Sequence, residues 1–188
     1  TTSIPNPVLQ PISLLAADIS TVNVQIDALS TVALRLLSDR VEASSTRSFA
    51  SSTELASSTN VAVVADNLEL ASSAGVYQAN GVGMLTAIAP SPLARYETIA
   101  IQELIPAQTS RLIRVYASTT PDSLIPDSDL PGNSAGFAAN NIDISQLDTT
   151  TYPSLTLGVA LETTNTAVTP QIDAVTVYYA ESETPLST

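Results

Sequence analysis

The stretch Tyr152-Pro-Ser-Leu-Thr-Leu-Gly-Val-Ala-Leu-Glu-Thr-Thr-Asn-Thr-Ala-Val-Thr-Pro-Gln-Ile-Asp-Ala-Val-Thr-Val-Tyr-Tyr179 decides the fold class. Leu155, Leu157, Val159 and Leu161 recur at every second position, and so do Val175, Val177 and Tyr179. Side chains of an extended chain alternate between its two faces, so this period marks strands with one face buried. Upstream, Leu112, Arg114 and Tyr116 share one face of the run 111–117, with Ile113 and Val115 on the other. Further strand-like runs occupy 61–70, 75–78, 82–88 and 96–103, between clusters of Gly, Pro, Asn and Ser. Asn80-Gly81 is a favoured pair for a two-residue hairpin turn, and Pro106-Ala-Gln-Thr-Ser110 joins two runs as a longer one. Burying such faces against one another predicts a mainly β protein, an antiparallel β-sandwich spanning residues 61–188.

Inside this span, residues 119–152 carry no clear period but hold Pro121, Pro126, Pro131, Gly132, Gly136 and several Asp and Asn. Connections longer than about fifteen residues are uncommon and often functional, which makes this loop the first candidate for a partner-binding surface. Asp127, Asp129, Asn133 and Tyr152 are its candidate contact residues, with Tyr152 the candidate stacking ring. Asp127-Ser-Asp129-Leu-Pro131-Gly132 matches an EF-hand at positions 1, 3 and 6, but Pro131 stands at position 5 and Ala138 at position 12, where a bidentate Glu is needed. A calcium site of another kind, using Asp122, Asp127, Asp129 or Asp143, stays open beside the favoured reading of acidic turn residues. No cofactor is otherwise expected.

The period changes near the N-terminus. Residues 1–11, with Pro5, Pro7 and Pro11, predict an extended arm. Ile12, Leu15, Ile19, Val22, Ile26, Leu29, Ala33 and Leu36 then follow one another at steps of three and four, a heptad seam that predicts an amphipathic helix over 12–43 for assembly with other copies. The stripe is broad enough to serve equally as an ordinary packing helix. Residues 44–60 hold much of a tetrad, Ala-Ser-Ser-Thr, that begins at Ala43, Ala50 and Ala56; this Ser/Thr-rich composition predicts a linker.

Composition limits the chemistry. The 188 residues contain no His, Cys, Trp or Lys, so nucleophiles paired with His, zinc sites of His or Cys, Schiff bases and P-loop lysines are excluded. What survives is carboxylate chemistry, and Glu97 and Glu103 on one strand would stand about 20 Å apart, too far for a glycosidase pair. The expectation is a protein that is not an enzyme. A net charge of −12, concentrated beyond residue 60, argues against nucleic acid and anionic membranes as partners.

The segment 152–179 resembles the closing strands of jelly-roll, discoidin-like β-sandwich modules in bacterial surface proteins and phage tail or fibre proteins. There an extended strand, a Thr-rich turn containing Thr-Pro, and a final strand close the sandwich. Glu103-Leu-Ile-Pro-Ala-Gln-Thr-Ser110 is similar to their Pro-Ala-Gly-Thr hairpin, with Gln108 where Gly is usual. The resemblance implies a jelly-roll-like sandwich and, joined to the arm and seam, a structural subunit of a virion or cell-surface fibre. A homo-oligomer, trimer or filament, is then expected, with other structural proteins of the assembly as partners and an extracellular, cell-surface or virion location. The alternative is an adhesion module that binds a surface glycan or a protein through the 119–152 loop.

Overall fold

The computed structural model describes residues 40–118 and 123–182. The expected arm and the seam residues Ile12, Leu15, Ile19, Val22, Ile26, Leu29 and Leu36 lie outside the described residues. Thirteen strands are formed among those that are described. They are β1 (Arg40–Arg47), β2 (Leu55–Thr59), β3 (Val61–Val64), β4 (Asn67–Leu70), β5 (Ser72–Ser73), β6 (Val76–Tyr77), β7 (Asn80–Leu85), β8 (Leu93–Leu104), β9 (Thr109–Ala117), β10 (Ser123–Leu124), β11 (Asn141–Asp143), β12 (Leu155–Thr163) and β13 (Gln171–Ser182). One sheet, A, runs β11-β8-β13-β4-β3, with β1 also on β13; the other, B, runs β10-β9-β12-β7-β2, and β5-β6 is a separate hairpin. All pairings are antiparallel.

The alternating residues of the deciding stretch are the core. Leu155, Leu157, Val159 and Leu161 of β12 are all fully buried, and Ile172, Val175 and Val177 of β13 meet them from sheet A. Each such side chain contributes roughly 1.5–3 kcal/mol by leaving water. Tyr96 and Ile99 of β8 both point inward although they stand three positions apart. A bulge permits this: Ile99 pairs with Val177 and Tyr96 with Tyr179, so β8 carries one residue more than β13 over that interval.

Arg40–Ala43, expected as the end of the helix, are strand, and the expected linker 44–60 is the rest of β1, a 3-10 turn at Ser52–Glu54, and β2. Thr suits strands and Ser is tolerated on edge strands whose outer face is wet, so this composition need not mean a spacer. Between β1 and β2, the fully buried Phe49 fastens the crossing from one sheet to the other. The sandwich therefore begins at Arg40, not at residue 61. The run 61–70 is a hairpin, because Ala65 and Asp66 take φ of 48° and 63° and reverse the chain. Asn80-Gly81 is no turn but the start of β7, and Gly is required there because a Cβ would come within 2.5 Å of the Asn60 carbonyl oxygen.

The ends of the sandwich are distinct. Arg40 pairs with Ser182, so the chain enters β1 and leaves β13 side by side at one end, the near end. The β8–β9 hairpin and the β12–β13 connection form the far end, tied together by Thr164 N–H to Gln108 O, and β6 joins the same connection through Tyr77 N–H to Thr166 O, both at 2.9 Å.

Candidate functional site

The expected partner-binding segment closes one open side of the sandwich. Leaving β10, it runs along the outer edge of β9, where Ile113 and Phe137 exchange backbone hydrogen bonds, and returns along β8 as β11. Ile125, Leu130, Ile142, Ile144 and Leu147 are buried along it. Edge strands expose unpaired backbone groups, and this segment satisfies them with two short strands, β10 and β11, and irregular chain between them.

The four candidate contact residues take different places. Asn133 is fully buried and acts as a piece of strand: its carbonyl accepts from Val115 N–H, while its amide donates to Val115 O and Ile125 O, at 2.7–2.8 Å. It cannot meet a partner. Asp127 accepts from the Ser134 hydroxyl and N–H, which hold its carboxyl below the usual range. Asp129 accepts from the Tyr152 and Ser128 hydroxyls and is lowered in turn, and the same bond raises the phenol of Tyr152. Tyr152 is 9% exposed, so its ring is an anchor and not the expected stacking platform.

Asp129 and Tyr152 nevertheless line a shallow cleft of about 510 Å³ with Ser128, Pro131, Gln146, Asp148 and Thr151. Asp148 is held low by Thr150 N–H and the Thr151 hydroxyl, closing its own turn. Asp143 likewise accepts from Ser145 N–H. Asp122 lies outside the described residues, and among the described residues no three acidic side chains converge as metal ligands would.

A second cleft, of about 460 Å³, opens at the far end of sheet B and is lined by Ala79, Asn80, Gln108, Thr109, Ser110, Glu162, Thr163 and Thr164. Register builds it: Glu162 of β12 stands opposite Asn80 of β7 on one side and Ser110 of β9 on the other. These three side chains are exposed and make no hydrogen bond within the described residues. The frame around them is tied. Thr163 N–H donates to Ala79 O, the Thr109 hydroxyl to Pro106 O, the Thr164 hydroxyl to Gln108 O, and the Asn165 amide to Gln108 Oε1. Sequence reasoning missed this row because its members are 30 and 52 residues from one another along the chain. Only the alternation of 155–161 hints that Glu162 turns outward.

The two arginines of β9 take different places: Arg111 is buried against Glu103, whereas Arg114 clamps Ser134 O and Ala135 O at the surface. No family model, curated protein or solved structure matches this chain.

Proposed function

We propose that this chain is a non-catalytic structural subunit of a fibre or appendage on a virion or cell surface, in which residues 1–39 join or anchor copies and the sandwich is held outward. The pairing of Arg40 with Ser182 carries the reading, because a body that the chain enters and leaves at one end can be held there with its far end free. The strand order supports a jelly-roll-like architecture: β4-β13-β8-β11 faces β7-β12-β9-β10, and the chain passes repeatedly from one sheet to the other. Asp127, Asp129, Asp143 and Asp148 direct their oxygens at hydroxyls and N–H groups of their own segment, the work of structural caps.

Light scattering on the full chain tests it, beside the full chain carrying Ile19→Asp and Ile26→Asp in the heptad seam. The expected result is a trimer or filament for the natural sequence and a monomer with unchanged β-sheet circular dichroism for the variant. A natural chain that is monomeric overturns the reading.

A further inference from the structure

We propose that the outer edge of β3 pairs with β3 of a second copy, antiparallel about a two-fold axis through Ala62, so that sheet A runs on from one copy into the other. The contact goes beyond the assembly role proposed above, uses none of its residues and does not rest on it. In the β3–β4 hairpin the two-residue turn at Ala65 and Asp66 makes Val64 and Asn67 a hydrogen-bonded pair, and Ala71 N–H to Asn60 O at 2.8 Å keeps the same alternation. Val61 and Val63 therefore turn their N–H and C=O groups away from β4. β3 ends the strand order of sheet A, and these four groups meet no backbone partner among the described residues. The opposite side of the sandwich differs, for there β10, β11 and the chain between them cover the edges of β9 and β8. Natural edges that stay open are blunted by charge or proline, and residues 59–65 contain neither.

The edge is its own complement, which makes a second copy its occupant. With Ala62 on the axis, Val61 exchanges both backbone hydrogen bonds with Val63 of the second copy, and Val63 does so with its Val61, so all four groups of each strand are satisfied. The side chains agree: both valines face the core side, Val63 only partly buried there, and each gains a β-branched neighbour across the new pair. Ala62 is small enough for the close approach of a non-hydrogen-bonded pair, whose Cα atoms stand about 4.5 Å apart. Charge favours this edge too. A net charge of −12 opposes most contacts between copies, but the nearest acid here, Glu69 opposite Ala62 on β4, is bonded to the Gln171 amide and stands three strand spacings, about 14 Å, from its counterpart. Asp66 aligns with Ser58 of the second copy, which leaves the two Asp66 side chains about 27 Å apart. A strand this short buries far less than a stable interface, so free copies pair only near about 1 mM, the effective concentration that tethered copies reach. The antiparallel pairing points the near ends of the two copies opposite ways.

Cysteine cross-linking tests the pair, since the chain has no Cys of its own. Ala62→Cys, Val64→Cys and Ser57→Cys, the last on the edge strand β2, are each made in the full chain and in the full chain that also carries Ile19→Asp and Ile26→Asp. Each protein is oxidised with glutathione disulfide at about 1 mM chain. Two residues that meet on the axis fit disulfide geometry, whereas Val64 faces Asn60 of the second copy and stands about 14 Å from its own counterpart. Val64 is 49% exposed and Ala62 only half-buried, so random collision favours Val64→Cys. The expected result is covalent dimer at least about tenfold faster for Ala62→Cys than for Val64→Cys or Ser57→Cys in both backgrounds. Adding Val63→Pro, which removes an outward N–H but no bond of the fold, should abolish that lead. Val64→Cys or Ser57→Cys dimerising as fast as Ala62→Cys overturns the proposal, as does an Ala62→Cys dimer that forms equally fast with Val63→Pro. The ranking is read in both backgrounds whatever mass light scattering gives, so the edge and the assembly reading fail separately.

Discussion

The Arg111 guanidinium donates to both carboxylate oxygens of Glu103 at 2.6 Å and to Phe137 O, Ala139 O and Asn140 Oδ1 at 3.1–3.3 Å. Side-chain exposure of the pair is 1% and 7%, so neither charge can fall back on water. Arg111→Ala leaves Glu103 buried and unpaired, with an expected loss of about 3–5 kcal/mol in urea unfolding. Arg111→Met with Glu103→Leu together should cost much less, because the remaining charge is also gone. Tyr96 presents the opposite case. Its ring is fully buried in the core, and its hydroxyl finds no partner among the described residues. Tyr96→Phe removes an unsatisfied polar atom and keeps the ring, so thermal unfolding should show stability unchanged or raised by about 1 kcal/mol.

At the scale of elements, two straps close the sandwich at its open edges. The first is β1, the turn at Ser52–Glu54, and β2, fastened by Phe49, whose N–H donates to Glu54 at 2.8 Å. Phe49→Ala should cost about 3–5 kcal/mol and raise amide exchange first in β1 and β2, because the plug joins the two edges. The second strap is the segment between β10 and β12. Asn133→Ala there deletes three buried hydrogen bonds and leaves the Val115 N–H of β9 without that partner, while Val115 O keeps only the Ile125 N–H. A loss of about 2–4 kcal/mol is expected from denaturant titration, with exchange protection falling in residues 123–137 before the β12–β13 core.

For the molecule as a whole, pH acts from both sides. The carboxyls of Asp127, Asp129, Asp143 and Asp148 are held low in the fold by hydrogen bonds, so their contribution is present above the ordinary carboxylate range near pH 4 and is lost as pH falls through their folded values. Burial raises the Tyr96 phenol and Asp129 raises that of Tyr152, so neutral phenols favour the fold below about pH 10, and that preference is lost as pH rises further. Melting temperature should therefore be flat between about pH 5 and 9 and fall on both limbs, and Tyr96→Phe should shallow only the alkaline one.

What could be read from the chain alone follows its local periods. Alternation at 155–161 and 175–179 foretold β12 and β13 and the buried face of those residues, since a period of two needs no knowledge of neighbours. The 106–110 hairpin was legible for the same reason, its turn chemistry being local. Residues 43–59 were not: Ser and Thr say only that a surface is wet, and whether they lie in a spacer or on an edge strand depends on β13 and β7 offering an edge to pair with. Asn133 and Tyr152 likewise present the same side chains exposed or buried, and only the packing of their segment against β9 turned one into a surrogate strand and the other into an anchor. The far-end row is wholly tertiary. Asn80, Ser110 and Glu162 become neighbours through register alone, because pairing across strands juxtaposes residues that no local pattern connects.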